Sequence, residues 1–356
     1  MTTWSAHKPN NSLAPLPPAN FDLTSKQTKL LIEVVALLAR LDEAAELLAN
    51  PSVFNNALPM LETTSSSRIE NIITTHDELF VADVSSIQSI SPDTRLAMRN
   101  RAALSLGFES IAKRPVSSKL LADVASELLG YEVKIRHLPG TFIGEPGSRV
   151  YTPPEGQDLI EILLDDLVSF IGSSELHPVL VMILAHYQFE AIHPYPDGNG
   201  RTGRVLNHLV LSQAGLLRSP VLNLSSYLVR NRDQYYERLH AVEAKGDWPA
   251  WVDFMLAALH SATLDSFGKL KELTLRQLEF TESVYSFVGK LAPDFAQLLF
   301  EKPYCQIGHV VDRLEISRPT ASKHLETLVR AELLTSLVSG KEKFFINHKM
   351  LEVLGR

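Results

Sequence analysis

Twelve consecutive residues, His193-Pro194-Tyr195-Pro196-Asp197-Gly198-Asn199-Gly200-Arg201-Thr202-Gly203-Arg204, bring an imidazole, a carboxylate, a carboxamide and two guanidinium groups together among glycines. Gly198 and Gly200 open backbone conformations closed to other residues and leave no side chain in the way of a ligand. A helix starting near Asn199 or Gly200 presents its first free N–H groups, reinforced by the helix dipole, as an anion site. Arg201 and Arg204, three apart, share one face of that helix and can grip phosphate oxygens in bidentate fashion. Asp197 is a hard oxygen ligand of the kind that holds Mg²⁺ beside substrate phosphates. His193 is the one group in the loop able to accept a proton near neutral pH. The set describes phosphate chemistry on a nucleotide, with a base aimed at an incoming hydroxyl.

Two apolar segments must position this loop. Val179 to Ile192 is long enough for four turns of buried helix, and Val205 to Leu211 reads as helix again. The chain around them has 356 residues, room for two or three domains, and is 45% hydrophobic, enough for a sizeable core. A net charge of −7 argues against a strongly nucleic-acid-binding protein. The single cysteine, Cys305, excludes an intramolecular disulfide and a cysteine metal cluster, and reads as a small buried hydrophobe. No signal sequence opens the chain and no run of eighteen apolar residues interrupts it, so a cytoplasmic protein with no membrane contact is expected.

In order, residues 1–23, rich in Pro and Asn, read as an extended arm. Thr24 or Ser25 can cap a helix whose Leu30, Leu31, Val34, Val35, Leu38 and Leu41 form an apolar stripe ending before Pro51. Thr63 to Ser67 has the composition of a polar linker or a helix N-terminus. Residues 74–130 are expected to be helical, with starts at Ser91-Pro92-Asp93 and Val116-Ser117-Ser118 and a stop at Gly130. Tyr131 to Tyr151 reads as a β-hairpin interrupted by Pro139-Gly140 and Glu145-Pro146-Gly147, followed by a helix from about Gln157 to Ile171. Gly246-Asp247-Trp248-Pro249 breaks the helical pattern before it resumes from Trp251 to Leu264. Near the C-terminus, helices at Ile307–Leu314 and from Ser317-Arg318-Pro319-Thr320 to Ala331 precede two strands at Leu337-Val338 and Lys343–Ile346, joined through Ser339-Gly340-Lys341-Glu342. This order resembles a winged helix-turn-helix. Arg318, Thr320, Ser322 and Lys323 would be its DNA readers, but Glu326, Glu332 and Glu342 balance its lysines and favour a protein-contact role.

The twelve-residue loop resembles the signature of the Fic family, His-x-Phe-x-(Asp/Glu)-Gly-Asn-Gly-Arg-x-x-Arg, with Tyr195 keeping an aromatic ring in place of Phe. Upstream, Ser66, Glu70 and Asn71 resemble the family's inhibitory motif, (Ser/Thr)-x-x-x-Glu-(Gly/Asn), on a short helix ending near Asn71. The resemblance implies a mainly α fold with a helical core, a β-hairpin flap over residues 131–151 and a C-terminal winged helix-turn-helix. It implies a protein adenylyltransferase that moves AMP from ATP, with Mg²⁺ on Asp197, to a Ser, Thr or Tyr hydroxyl. His193 would be the catalytic base, while Gly198, Asn199, Gly200, Arg201 and Arg204 would hold the phosphates. Tyr227 and Tyr236 would wall the adenine pocket, and Glu70 would pair with Arg204 to displace the γ-phosphate. The flap would hold the target protein by strand addition.

The expected division is an N-terminal arm and helical region with the inhibitory helix (1–109), a catalytic core (110–265), a connecting helix (266–285) and the winged unit (286–356). Self-modification and a homodimer are further expectations. The glycines at 198 and 200 favour adenylylation over phosphocholine transfer or phosphorylation. Two alternatives stay open: a hydrolase removing AMP from protein, with Glu70 holding the water, and a nucleotide-responsive regulator binding DNA through 307–346.

Overall fold

The computed structural model describes residues 5–46, 51–84, 90–145, 148–339 and 342–355. The expected turn residues Pro146, Gly147, Gly340 and Lys341 lie outside them. Five helices form the first third: α1 (Ser25–Glu46), α2 (Pro51–Ile69), α3 (His76–Val84), α4 (Pro92–Ile111) and α5 (Ser118–Leu129). Their starts follow from side-chain caps. Thr24 and Gln27 satisfy each other's backbone N–H groups across the first turn of α1, and Ser91 and Ser117 accept from Thr94 and Leu120. Gly130, in the left-handed region, stops α5 where the sequence places it.

The hairpin is shorter than expected. Strands β1 (Ile143–Glu145) and β2 (Ser148–Tyr151) pair antiparallel, while Tyr131 to Phe142 has no strand partner. The amide of Arg136 is instead donated to Pro194 O in the loop, which ties this segment to the core rather than to a sheet. The arm behaves likewise: Asn10 N donates to Thr152 O, and Gln188 Nε2 to Ala14 O.

Helices α6 (Gln157–Ser173), α7 (Pro178–Ile192) and α8 (Asn199–Gln213) follow, then α9 (Leu224–Arg230), α10 (Arg232–Lys245) and α11 (Trp248–Val288). The helix α7, mostly apolar and buried along nearly its whole length, is central, packed by α6, α8 and α11. Trp251 is fully buried and donates Nε1 to Ile183 O, fixing α11 on α7. The helix α11 differs from expectation: one unbroken helix of 41 residues replaces the segment 251–264 and a separate connector. Gly268 is its only internal glycine and no proline follows Pro249, so nothing stops it.

The C-terminal unit comprises α12 (Ala292–Glu301), β3 (Tyr304–Cys305), α13 (Ile307–Leu314), α14 (Arg318–Arg330), β4 (Thr335–Ser339), β5 (Glu342–Ile346) and α15 (His348–Gly355). Its two expected strands pair antiparallel, and β3, not foreseen, adds to β5 in the order β3-β5-β4. On α14, Arg318, Thr320 and Lys323 are exposed and Ser322 is half-buried. No helix among the described residues is long and apolar enough to cross a membrane.

Candidate active site

The loop closes α7 with His193 in the left-handed conformation, φ +50°. Such a backbone needs outside support for a residue with a side chain, and Arg136 supplies it. Its Nε donates to His193 O at 2.7 Å, and its Nη2 donates to Ile192 O at 3.1 Å and to Pro154 O. Arg136 was not anticipated. The only hint in the sequence is a basic residue among alternating charged and apolar positions, and nothing there says where it reaches.

Asn199 holds the other half of the loop. Its Oδ1 accepts from Tyr195 N at 2.9 Å and its Nδ2 donates to Tyr195 O at 2.7 Å. Both ends of the carboxamide are thus engaged within the loop, so Asn199, expected among the phosphate ligands, acts here as a brace. Tyr195 is fully buried, as an anchoring aromatic requires. Gly198, φ +77°, is the N-cap of α8, and no side chain caps the helix's first free N–H groups.

Above that helix start lies a cavity of about 480 Å³, lined by Glu70, His193, Gly200, Arg204 and Tyr236 among others. A Cβ on Gly200 would run into Glu70 Oε1 and lie 3.1 Å from Arg204 Nη1, so glycine is required for the helix to come this close to the carboxylate. Arg201 is buried off this lining, with Nε and Nη1 lacking partners. Asp197 is exposed beside the loop, with Oδ1 taking Gly198 N at 2.6 Å. Tyr227 does not line the cavity. Its ring packs edge-on against Phe254 at 5.8 Å, and of the two tyrosines expected as walls Tyr236 lines this cavity. Tyr187, Glu190 and Glu243, unforeseen, also line it.

Arg204 is 2% exposed and bonded to the C-terminal end of α2. Its Nε donates to Ser66 Oγ at 2.9 Å and its Nη2 to Ser66 O at 3.0 Å and Glu70 Oε1 at 2.8 Å. Only Nη1 is buried without a partner. Burial alone would raise the Glu70 carboxyl, but the Arg204 guanidinium reverses this and holds it below its usual range. Glu70 sits where it does because α2 ends there in a Schellman turn. Ile72 N donates to Ser67 O and Asn71 N to Arg68 O, with Asn71 left-handed at φ +58°. The hydroxyl-rich stretch read as linker or helix start is therefore the buried C-terminal half of a 19-residue helix. Thr64 Oγ1 donates to Met60 O at 2.7 Å, and Asn100 Nδ2 to Thr63 O at 3.3 Å. Two turns before Glu70, the buried Glu62 accepts from Ser225 N at 2.9 Å and from the Ser225 hydroxyl, and lies 3.4 Å from His208 Nε2.

Burial, reinforced by the Arg136 guanidinium, pushes the His193 imidazole down to about 4, so it is neutral and able to accept a proton at pH 7. Glu190, on α7 and close enough to feel Arg204, is pushed by burial up to about 7 although Arg204 pulls the other way. The folded state thus keeps this proton to higher pH than the unfolded chain. The stability it contributes is full below pH 4.5 and is lost as pH rises through 7. Glu190→Gln is expected to remove that dependence. The stability of wild type relative to this variant should fall by about 3 kcal/mol between pH 4.5 and 7 and stay flat above. Urea denaturation of both proteins across this range reads it, and a constant difference would refute it.

Three sequence models match: the Fic/DOC family N-terminal region over residues 28–109, the Fic/DOC family over 115–211, and the protein adenylyltransferase SoFic-like C-terminal domain over 288–350. The protein adenylyltransferase Fic of Aedes aegypti is 36% identical over 126 residues, 34% of this chain and 24% of that protein. That of Drosophila virilis is 33% identical over 157 residues, 42% of this chain and 30% of that protein. The chain thus matches about a quarter to a third of the length of these curated relatives. A Fic family protein from Desulfovibrio desulfuricans G20 shares the fold at TM-score 0.61 and 21% identity, over 92% of this chain and 97% of that one. Fic-1 (aa134–508) from C. elegans does so at TM-score 0.55 and 20% identity, over 68% of this chain and 72% of that one. The chain belongs to the Fic/DOC family.

Proposed function

We propose that the chain transfers AMP from ATP to a hydroxyl of a protein and that Glu70 restrains this activity. The observation that carries the reading is the buried Arg204, bonded to Glu70 at the wall of a cavity that also holds the neutral His193. A nucleotide's terminal phosphate is the natural anion to replace that carboxylate. The uncapped N–H groups at the start of α8 would receive the inner phosphates, and the buried Arg201 would add positive charge near them. Asp197, an exposed hard oxygen donor, would hold Mg²⁺ together with the phosphates and water. Among the described residues no cluster of three or more ligating side chains offers a site made of protein alone. Bound there, the ion supplies charge neutralisation.

In the transfer step, the target's hydroxyl oxygen forms a bond to the α-phosphorus as the bond from that phosphorus to the oxygen bridging to the β-phosphate breaks. His193 takes the hydroxyl proton, and pyrophosphate leaves with the bonding electrons. The hairpin β1–β2 borders the cavity through Ile143, Gly144 and Val150 and offers an edge to which an extended target segment can add. The curated relatives bear the name protein adenylyltransferase, which supports the same reaction here. The carboxylate of Glu70 lines the cavity beside His193 and could orient a water for the reverse hydrolysis of AMP-modified protein.

ATP labelled at the α-phosphate, incubated with Glu70→Gly protein, Mg²⁺ and cell lysate, is expected to label protein covalently, the enzyme itself included. ATP labelled at the γ-phosphate is expected to add no label beyond that of lysate without the enzyme. Label from the γ-phosphate alone would replace adenylylation with phosphorylation.

A further inference from the structure

We infer that the outer face of α11 is the seam of a homodimer in which two copies of this helix pair antiparallel about a two-fold axis between residues 276 and 277. The inner face of the helix is committed to the core through Leu270, Leu273, Phe280 and Val284, all buried. The outer face carries Gly268, Lys271, Leu275, Leu278, Glu282 and Tyr285, spaced alternately by three and four. That spacing is the heptad repeat of a helix-pairing seam and puts all six on one stripe. All six are exposed in the single chain, with Leu275 at 48%, Leu278 at 59% and Tyr285 at 60%. Large apolar side chains so open on a helix whose other side is well packed call for a cover.

The stripe is complementary to itself in one direction only. Antiparallel pairing about that axis sets Leu275 against the partner's Leu278 and Lys271 against the partner's Glu282. It also sets Gly268 against the partner's Tyr285, and nothing lies within 4 Å of the Cβ position of Gly268, so the ring has room. Each contact occurs twice, as an isologous interface requires. Parallel pairing would set Lys271 against Lys271 and Glu282 against Glu282, an arrangement that like charges oppose. Neither Lys271 nor Glu282 has an ion pair among the described residues of its own chain. The flanks add one repulsion, Glu272 near the partner's Glu279. Within each copy Arg276 bonds both carboxylates, at 2.9 Å and 3.3 Å, and offsets it. From Gly268 to Tyr285 the seam runs about 26 Å at 1.5 Å per residue, a contact of moderate size. The inference does not depend on the transfer reaction, since α11 presents this face away from the core.

Sedimentation velocity of the full chain between 1 and 100 μM is the test. Wild type is expected to form dimers in that range. Lys271→Glu and Glu282→Lys are each expected to raise the dissociation constant at least tenfold. The double variant, which rebuilds both ion pairs with reversed sign, is expected to return within about threefold of wild type. Thermal melts of the two single variants, whose changed side chains are exposed and unpaired within the chain, check that folding is intact. A wild type that stays monomeric at 100 μM overturns the inference. So do single variants that dimerise like wild type, and a double variant that remains dissociated.

Discussion

Glu70→Gly is expected to raise AMP transfer about 10- to 30-fold over wild type at saturating ATP, measured as α-phosphate label incorporated per enzyme. The reasoning starts from the carboxylate that Arg204 now holds. Its bond to Glu70 Oε1, 2.8 Å long, joins a buried guanidinium to a carboxylate whose side chain is 35% exposed. A hydrogen bond between charged groups of this kind contributes roughly 1.5–3 kcal/mol, and partial exposure argues against the upper end. A productively placed triphosphate must first displace Glu70 from Arg204. An ATP bound with that pair intact has its α-phosphorus out of line for attack. Removing the carboxylate removes that competition. The helix carrying it should stay in place, because Ser66 still accepts from Arg204 Nε and Glu62 still accepts from Ser225. Without nucleotide, however, the buried Arg204 charge loses its main partner. The variant should therefore melt below wild type and gain more from added ATP. Equal transfer rates in wild type and variant would remove the inhibitory role of Glu70.

Where the chemistry lies in contiguous residues, the sequence was informative. The imidazole, the glycines and Arg204 come within twelve positions, and a loop between two apolar helices constrains them to one place. Caps were legible for the same reason, since Ser91, Ser117 and Gly130 act on their own helices. What reaches across the fold was not. Arg136 meets His193 O from 57 residues away, Glu62 meets Ser225 from 163 residues away, and Glu190 matters only because burial shifts it. Side-chain hydroxyls misled for a related physical reason. Thr63, Ser66 and Ser67 are polar by composition, yet each is buried once a neighbouring helix or its own backbone accepts or donates the bond. Tyr227 and Tyr236 could not be told apart by spacing, because α9 ends at Arg230 and α10 begins at Arg232, and the change of axis between them breaks the periodicity. Asn199 was assigned to the ligand although its geometry makes it a member of the loop.

His193→Ala is expected to lower transfer by 10²- to 10⁴-fold, roughly what a positioned general base contributes, and to do so in the Glu70→Gly background as well as in wild type. The imidazole lines the cavity beside the start of α8 and is neutral at pH 7, so it can take a hydroxyl proton without first losing one of its own. Its affinity for a proton is held down to about 4 by burial and by Arg136. Glu190, nearby on α7, holds its proton up to about pH 7 and has its oxygen turned towards Gly203. Binding should survive the substitution. Arg136 grips the carbonyl of residue 193 rather than its side chain, and Asn199 closes the loop without touching the imidazole. The start of α8 and Arg204 should therefore keep their positions, leaving the dissociation constant for ATP within a few-fold of that of Glu70→Gly alone. Titrating nucleotide into the two variants and timing a single round of labelling separates these quantities. A double variant that binds ATP normally and still labels protein at the rate of Glu70→Gly would show that the proton leaves by another route. In the other direction, ATP binding lost together with labelling would make His193 a residue that shapes the phosphate cradle rather than one that accepts the proton.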